Sequence, residues 1–446
     1  MIFFLSGLSL AIFALCVFVY FFFFRKERDF LSPAYVLWFY FVVAIPYYFV
    51  VSVDSGFFSV RILESPLAVD LEWAVFYSAI LVFFSFSFAI LGSLVRFKGL
   101  ERLLVTTTSS TLFAAKGGRV FPWLFVFFIG LAVLVNHLRE MGGLLYVWNN
   151  IGSRTELQEG LGYSMFFFEW LITLGAIGAF LVLYNRSLVS KIFAVALVLL
   201  AFAALGLTGG RAPQLLLVWV LVFVVHFKFR ALDFGLVLRF MPVVVFVFLI
   251  FSVVGMHRAS FYDGEGLSAR SLTKEFFMTV TQRLSDLDRN VALVSYFDFE
   301  ELWLGASYLN LIYAPLPRGW IEGKPAISDG RYVRTIIDRG AASANMASEE
   351  LVASSWPPRN WIGFMNFHVL GLASFYFING LLLSAIYRAL KTSGALYLVV
   401  FYAAVCWGGG VDLSVSGLVR VIMIASVLLV GFFLYSAVPR IGAKKR

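Results

Sequence analysis

Apolar residues occupy this chain in long unbroken blocks, without the two-residue alternation of a half-buried strand. Eleven such blocks fall near 2–24, 33–53, 71–95, 120–136, 162–184, 192–207, 213–227, 240–256, 362–387, 395–411 and 416–438. A helix of about 20 apolar residues satisfies its own backbone hydrogen bonds and matches the thickness of a bilayer's hydrocarbon core. The pattern therefore predicts an all-α polytopic membrane protein with about 11 transmembrane helices. The polar intervals are short, with one exception. Residues 257–361 carry 9 Arg, 2 Lys and 13 Asp or Glu. The expected organisation has three parts: spans one to eight over 1–256, a long loop over 257–361 that holds the binding and catalytic segments, and spans nine to eleven over 362–446.

Inside the loop the periodicity changes. Phe276, Val280, Leu284, Leu287, Val291 and Val294 recur at three and four, which predicts an amphipathic helix with Arg283 and Asp286 on its other face. A second short helix is expected to start at Ser328 or Asp329 and stop at Gly340, with Arg331, Arg334 and Asp338 on one side. Such helices lie along a membrane interface or cap a cavity.

Composition agrees with the block pattern. The chain is 61% hydrophobic and only 14% charged, with mean hydropathy +0.90, against about 25% charged residues in soluble domains. The first block has no basic leader and no small-residue cleavage site, so it reads as a retained helix. Cys16 and Cys406 both fall in apolar blocks and suggest no disulfide framework. The four His residues show no metal-ligand spacing, so no metal or other cofactor is expected.

The net charge of +9 is unevenly placed. The segments 25–29, 96–119, 186–191, 228–239, 388–391 and the tail hold 19 basic and 4 acidic residues, while the rest of the chain holds 16 basic and 22 acidic. This is the positive-inside signature, not a nucleic-acid footprint. It predicts an N-terminus outside, a cytoplasmic C-terminus and an outward-facing long loop.

Three further features sit on the predicted outer side. Between spans six and seven the chain turns through "TGGRAP" (208–213). Gly209 and Gly210 permit close backbone approach, Pro213 suits a helix start, and Arg211 adds a guanidinium beside the positive end of the helix. The turn reads either as a phosphate or pyrophosphate site or as a tight turn whose Arg reaches lipid headgroups. In the loop before span five, Ser153 and Glu156 form a capping box, which leaves Arg154 open for substrate. Glu169, Arg420 and Asp412 lie within or beside spans, where charge is costly and pairs or lines a cavity.

Motif order then carries a resemblance. "LTGGRAPQLLL", "MHRASFY", "RLSDLDR", "PLPRGWIEGKP", "SANMASEEL" and "NWIGFMNFHVLG" follow one another as in the Wzy-type oligosaccharide repeat-unit polymerases, the O-antigen and enterobacterial-common-antigen polymerases, over roughly residues 120–430. The resemblance implies a GT-C-like glycosyltransferase of the bacterial inner membrane working on the periplasmic face in lipopolysaccharide or related polysaccharide biosynthesis. Its donor and acceptor would be undecaprenyl-pyrophosphate-linked oligosaccharides. Its pathway partners would be a chain-length regulator and a flippase. Several family members carry a Glu in the segment matching "WIGFMNF"; here Phe364 stands there, so no base is assigned to it.

Such a transfer releases a diphosphate. Without a metal, arginines must hold the developing charge, and their planar forks bind phosphate oxygens bidentately. Arg211, Arg258, Arg283 and Arg318 are the candidates, with Lys324 behind them and Arg154, Arg331 and Arg420 as further substrate contacts. Asp286, Asp288 and Glu350 are candidates for the general base. Two rivals share parts of this layout. An O-antigen ligase uses a loop His, absent from "AASANMASEEL". A lipid-linked oligosaccharide flippase favours two-fold repeats and broken helices at mid-membrane.

Overall fold

Among the described residues the apolar blocks fold as helices. The computed structural model describes residues 1–24, 29–53, 55, 58, 60–67, 70–106, 120–150, 157, 161–184, 186–208, 212–232, 239, 285–297, 301–316, 320–354 and 356–437. Among these residues the only strand-like pairing is an isolated antiparallel bridge between Pro325 and Ala347. The main helices are α1 (Ile2–Val19), α2 (Pro33–Val42), α3 (Ile45–Val53), α4 (Leu71–Leu94), α5 (Phe121–Glu140), α6 (Gly162–Tyr184), α7 (Leu188–Gly206) and α8 (Ala212–Lys228). They continue with α9 (Leu287–Tyr296), α10 (Asp329–Arg339), α11 (Ile362–Ser393), α12 (Leu396–Cys406) and α13 (Val415–Ala437).

Among the described residues seven stretches are long and apolar enough to cross a bilayer, the architecture of a polytopic membrane protein; Ala212–Lys228, Leu396–Cys406 and Val415–Val430 are shorter apolar helices. These ten correspond to ten of the eleven expected spans. The span expected at 240–256 lies outside the described residues. Two expected spans are not single helices. The second breaks into α2 and α3 around Val43 and Ala44, just before Pro46, whose ring and missing N–H oppose a continuous helix. The ninth folds back on itself near its start. Phe367 (φ −139°, ψ 21°) and His368 (φ 53°, ψ −145°) leave the helical region, and a Cβ on Gly371 would lie 2.1 Å from the Gly363 carbonyl oxygen. Only glycine lets the two helical segments meet there.

The chain forms two units. The first comprises Met1–Leu100, Ala231–Arg388 and Gly408–Val419; the second comprises Glu101–Arg230, Ala389–Trp407 and Arg420–Arg446. In the first unit α1 packs on α3 and α4, α2 packs on α4, and the loop helix α9 packs on both α4 and α10. In the second unit α5 and α6 pair closely, α6 also packs on α7, and α8 packs on α12.

The loop helices modify the expected picture. The amphipathic helix read across 276–294 is interrupted at Asp286, which takes the left-handed conformation (φ 54°) and precedes α9 instead of sharing a face with it. Residues 276–284, with Arg283, lie outside the described residues. Asp288, Arg289 and Asn290 are buried along with Leu287, Val291 and Val294, so α9 is enclosed on its polar side too. Helix α10 runs as expected from Asp329 to Arg339 and ends at Gly340 with φ 82°, a left-handed stop that favours glycine.

Candidate functional site

A cavity of about 120 Å³ lies in the first unit. Its apolar wall comes from Leu37 and Phe41 of α2 and from Val82 and Phe86 of α4. Its polar wall is built from the start of α9, from the residues leading into α11, and from Tyr376 and Asn379 further along α11. Here Asp286 Oδ2 lies 2.7 Å from Arg289 Nη2 and 3.9 Å from Arg359 Nη1. Asp286 and Arg359 (φ 51°) are two of the four non-glycine residues with positive φ among those described. Each such residue costs on the order of 1–3 kcal/mol and persists only where its surroundings impose it. Both occur in one cavity, facing each other.

The surroundings that impose them can be named. The Arg289 guanidinium also donates to the Pro357 carbonyl, and Arg359 donates to the Gly408 carbonyl at 3.4 Å. The glycine-rich loop 408–414 is held by two asparagines. The Asn360 side chain donates to Val411 O at 3.0 Å and accepts from Leu413 N at 2.9 Å. Asn379 Oδ1 accepts from Val411 N at 2.6 Å.

The polar wall is not electrically complete. Two guanidinium groups share one carboxylate within 4 Å, with Asp412 acting on Arg359 less strongly than Asp286 does. Arg289 Nε and Asn290 Oδ1 are buried with no hydrogen-bond partner among the described residues. A buried unpaired polar group costs about 1–3 kcal/mol, and more when it belongs to a charged side chain. An anion accepting from the Arg289 Nε–H would remove the guanidinium's share of that cost, whereas Asn290 Oδ1 calls for a donor. Among the described residues no three His, Cys, Asp or Glu side chains gather where they could hold a metal ion.

The other candidates divide into three groups. Arg154, Gly209, Gly210, Arg211, Arg258, Arg283 and Arg318 lie outside the described residues, as do the capping pair Ser153 and Glu156. Asp288, Lys324 and Arg331 are buried and engaged with their own fold. Asp288 accepts from Tyr47 Oη at 2.8 Å, Lys324 donates to the Leu316 carbonyl, and Arg331 donates to the Ser348 carbonyl at 3.0 Å and to the Ser348 hydroxyl. Glu350 is exposed, and its backbone carbonyl accepts from Arg339. Glu169 and Arg420 belong to the second unit, in α6 and α13.

A second buried charge stands apart from the cavity's polar wall. Asp329, at the start of α10, accepts from both Ser416 N (2.9 Å) and Ser416 Oγ (2.7 Å). Burial, reinforced by the nearby Asp412, pushes its carboxyl up to about 6 against the pull of the Ser416 hydrogen bonds. Burial and the same two carboxylates also raise Tyr308, whose hydroxyl donates to Leu413 O at 2.7 Å. This node ties the start of α10 to the start of α13, and Tyr308 to the adjoining 408–414 turn.

Of the cavity's charged residues, sequence reasoning selected Asp286 and passed over Arg289 and Arg359. Arg289 closes the "RLSDLDR" motif, and Arg359 follows Pro357 and Pro358 at the entry to an apolar run. An arginine at the mouth of a span was the available signal for Arg359 alone; Arg289 sits well inside the polar loop. The chain matches no protein-family model, no curated protein and no solved structure.

Proposed function

We propose that the protein is a Wzy-type glycosyltransferase of the bacterial inner membrane that polymerises undecaprenyl-pyrophosphate-linked oligosaccharides on the periplasmic face. The order of the sequence motifs supports this reading. So does one structural observation: a cavity that sets Arg289 and Arg359 around a single carboxylate, with its opposite wall made by apolar helices. A lipid-linked diphosphate needs both chemistries side by side. In the transfer, an acceptor sugar hydroxyl attacks the anomeric carbon, the glycosyl–phosphate bond breaks, and the diphosphate departs as an anion. Guanidinium groups fixed in a water-poor site stabilise that developing charge more than mobile water can.

The test is the glycan profile of cells lacking the protein. Loss of long chains with retention of a single capped repeat supports the polymerase. Loss of all capping indicates a ligase acting on lipid A core, and accumulation of unflipped lipid-linked units indicates a flippase. Polymerisation by the purified protein in excess chelator is the companion expectation for a reaction carried by arginines.

A further inference from the structure

The Asp286 carboxylate sits where two guanidinium groups converge. Its Oδ2 is shared by two guanidinium groups in a cavity whose polar wall has no other carboxylate within 4 Å of either among the described residues. The two contacts are unequal. Arg289 is 3% exposed, lies 2.7 Å away and is anchored at the Pro357 carbonyl. Arg359 is 40% exposed, lies 3.9 Å away and has a long 3.4 Å hydrogen bond to Gly408 as its other tie. An entering anion therefore meets the looser contact first.

Resting on the polymerase reading above, we propose that Asp286 is a displaceable counter-ion that becomes the general base. The donor's diphosphate takes the place of the carboxylate on Arg359. The displaced carboxylate remains beside Arg289 and hence next to the phosphate that displaced it. That phosphate carries the anomeric carbon, so Asp286 is adjacent to the bond to be made. It accepts the proton of the acceptor hydroxyl as that oxygen bonds to the anomeric carbon. The glycosyl–phosphate electron pair leaves with the diphosphate, held by the guanidinium groups. Atoms and charge balance without any further reactant. The arrangement also keeps the base engaged by Arg359 until a donor is bound.

The left-handed backbone at Asp286 suits the experiment, because Asn adopts that conformation more readily than most residues and Gly without penalty. Full-length wild type, Asp286→Asn, Asp286→Gly and Arg359→Ala are titrated with inorganic pyrophosphate in detergent, and each is assayed for transfer with lipid-linked repeat units. Removing the competing carboxylate should tighten pyrophosphate binding about tenfold in both Asp286 variants. It should slow transfer about a hundredfold or more. A residue that merely supports the fold would weaken both. If Asp286→Asn or Asp286→Gly transfers at the wild-type rate while Arg359→Ala does not, the base assignment fails and the diphosphate site stands. If pyrophosphate affinity is indifferent to Arg359, the site itself is misplaced and this proposal falls with it.

Discussion

Arg289 and Arg331 come from the same polar segment and are both almost wholly buried, yet their surroundings treat them differently. The Arg331 guanidinium is received by the carbonyl and the hydroxyl of Ser348, inside the fold of the loop. Arg289 shares Asp286 with a second arginine and keeps a buried Nε without a partner among the described residues. Burying a charge is tolerable only when it is paired and hydrogen-bonded. Arg331 is satisfied by neutral acceptors of the loop itself, whereas Arg289 and Arg359 converge on one carboxylate at the wall of a cavity. The distinction separates a cation that builds the loop from cations that line a cavity.

The strongest way to break this comparison is to remove Arg289. Arg289→Met strands the Asp286 carboxylate against its remaining, more distant partner. Breaking a buried pair from one side costs about 3–5 kcal/mol, so thermal unfolding in detergent should fall sharply and added pyrophosphate should not restore it. An unchanged midpoint would mean that the pair contributes little and the cavity is already solvated.

The Asp329 node sharpens the contrast, being a buried charge held by Ser416. Its carboxyl sits at about 6 in the fold, above the ordinary value of 3.8. The folded state therefore holds the proton more tightly than the unfolded chain between pH 4 and 6. By linkage the protein gains stability as pH falls through that window, by up to about 2–3 kcal/mol, and loses it as pH rises. Asp329→Asn should flatten this dependence. Asp412 is the titratable group acting on Asp329, and Asp329 in turn helps raise the Tyr308 and Tyr332 hydroxyls. A pH dependence that survives in Asp329→Asn would contradict the assignment to Asp329.

Arg331→Met should cost about 1–3 kcal/mol, the penalty for leaving the Ser348 acceptors unpaired. The fraction that remains folded should transfer at the wild-type rate, which separates Arg331 from Arg359. A selective loss of turnover with stability intact would return Arg331 to the substrate site. The smallest effect belongs to Arg334, whose 2.6 Å pair with Asp338 lies on the partly exposed side of α10. Arg334→Ala should shift stability by no more than about 0.5 kcal/mol.

Much of the scaffold was legible from residue patterns alone. Blocks of apolar residues need no tertiary information to become helices, and the stop at Gly340 follows from local backbone preference. The fold-back at Phe367 and His368 was not legible, because neither residue is a helix breaker. The reversal depends on Gly363 and Gly371, which flank it at positions that matter only once the segments meet. The site was half legible. Asp286 was selectable as a loop carboxylate, but its partnership with Arg359 spans 73 positions and is set by how α9 and the entry to α11 pack. Lys324 and Arg331 looked like substrate ligands for the opposite reason, since sequence cannot show that neighbouring carbonyls already receive them.

The central claim is that the Asp286, Arg289 and Arg359 cavity holds a lipid diphosphate. The most direct measurement is the single-turnover rate at which Arg359→Lys consumes undecaprenyl-pyrophosphate-linked repeat units, compared with wild type at equal folded concentration. Lysine keeps the charge but loses the planar fork, and a charge-assisted hydrogen bond in such a site is worth about 1.5–3 kcal/mol. The account predicts a rate about ten- to a hundredfold lower, with unchanged membrane abundance. A lysine variant that turns over at the wild-type rate would contradict it and move the diphosphate site elsewhere in the chain.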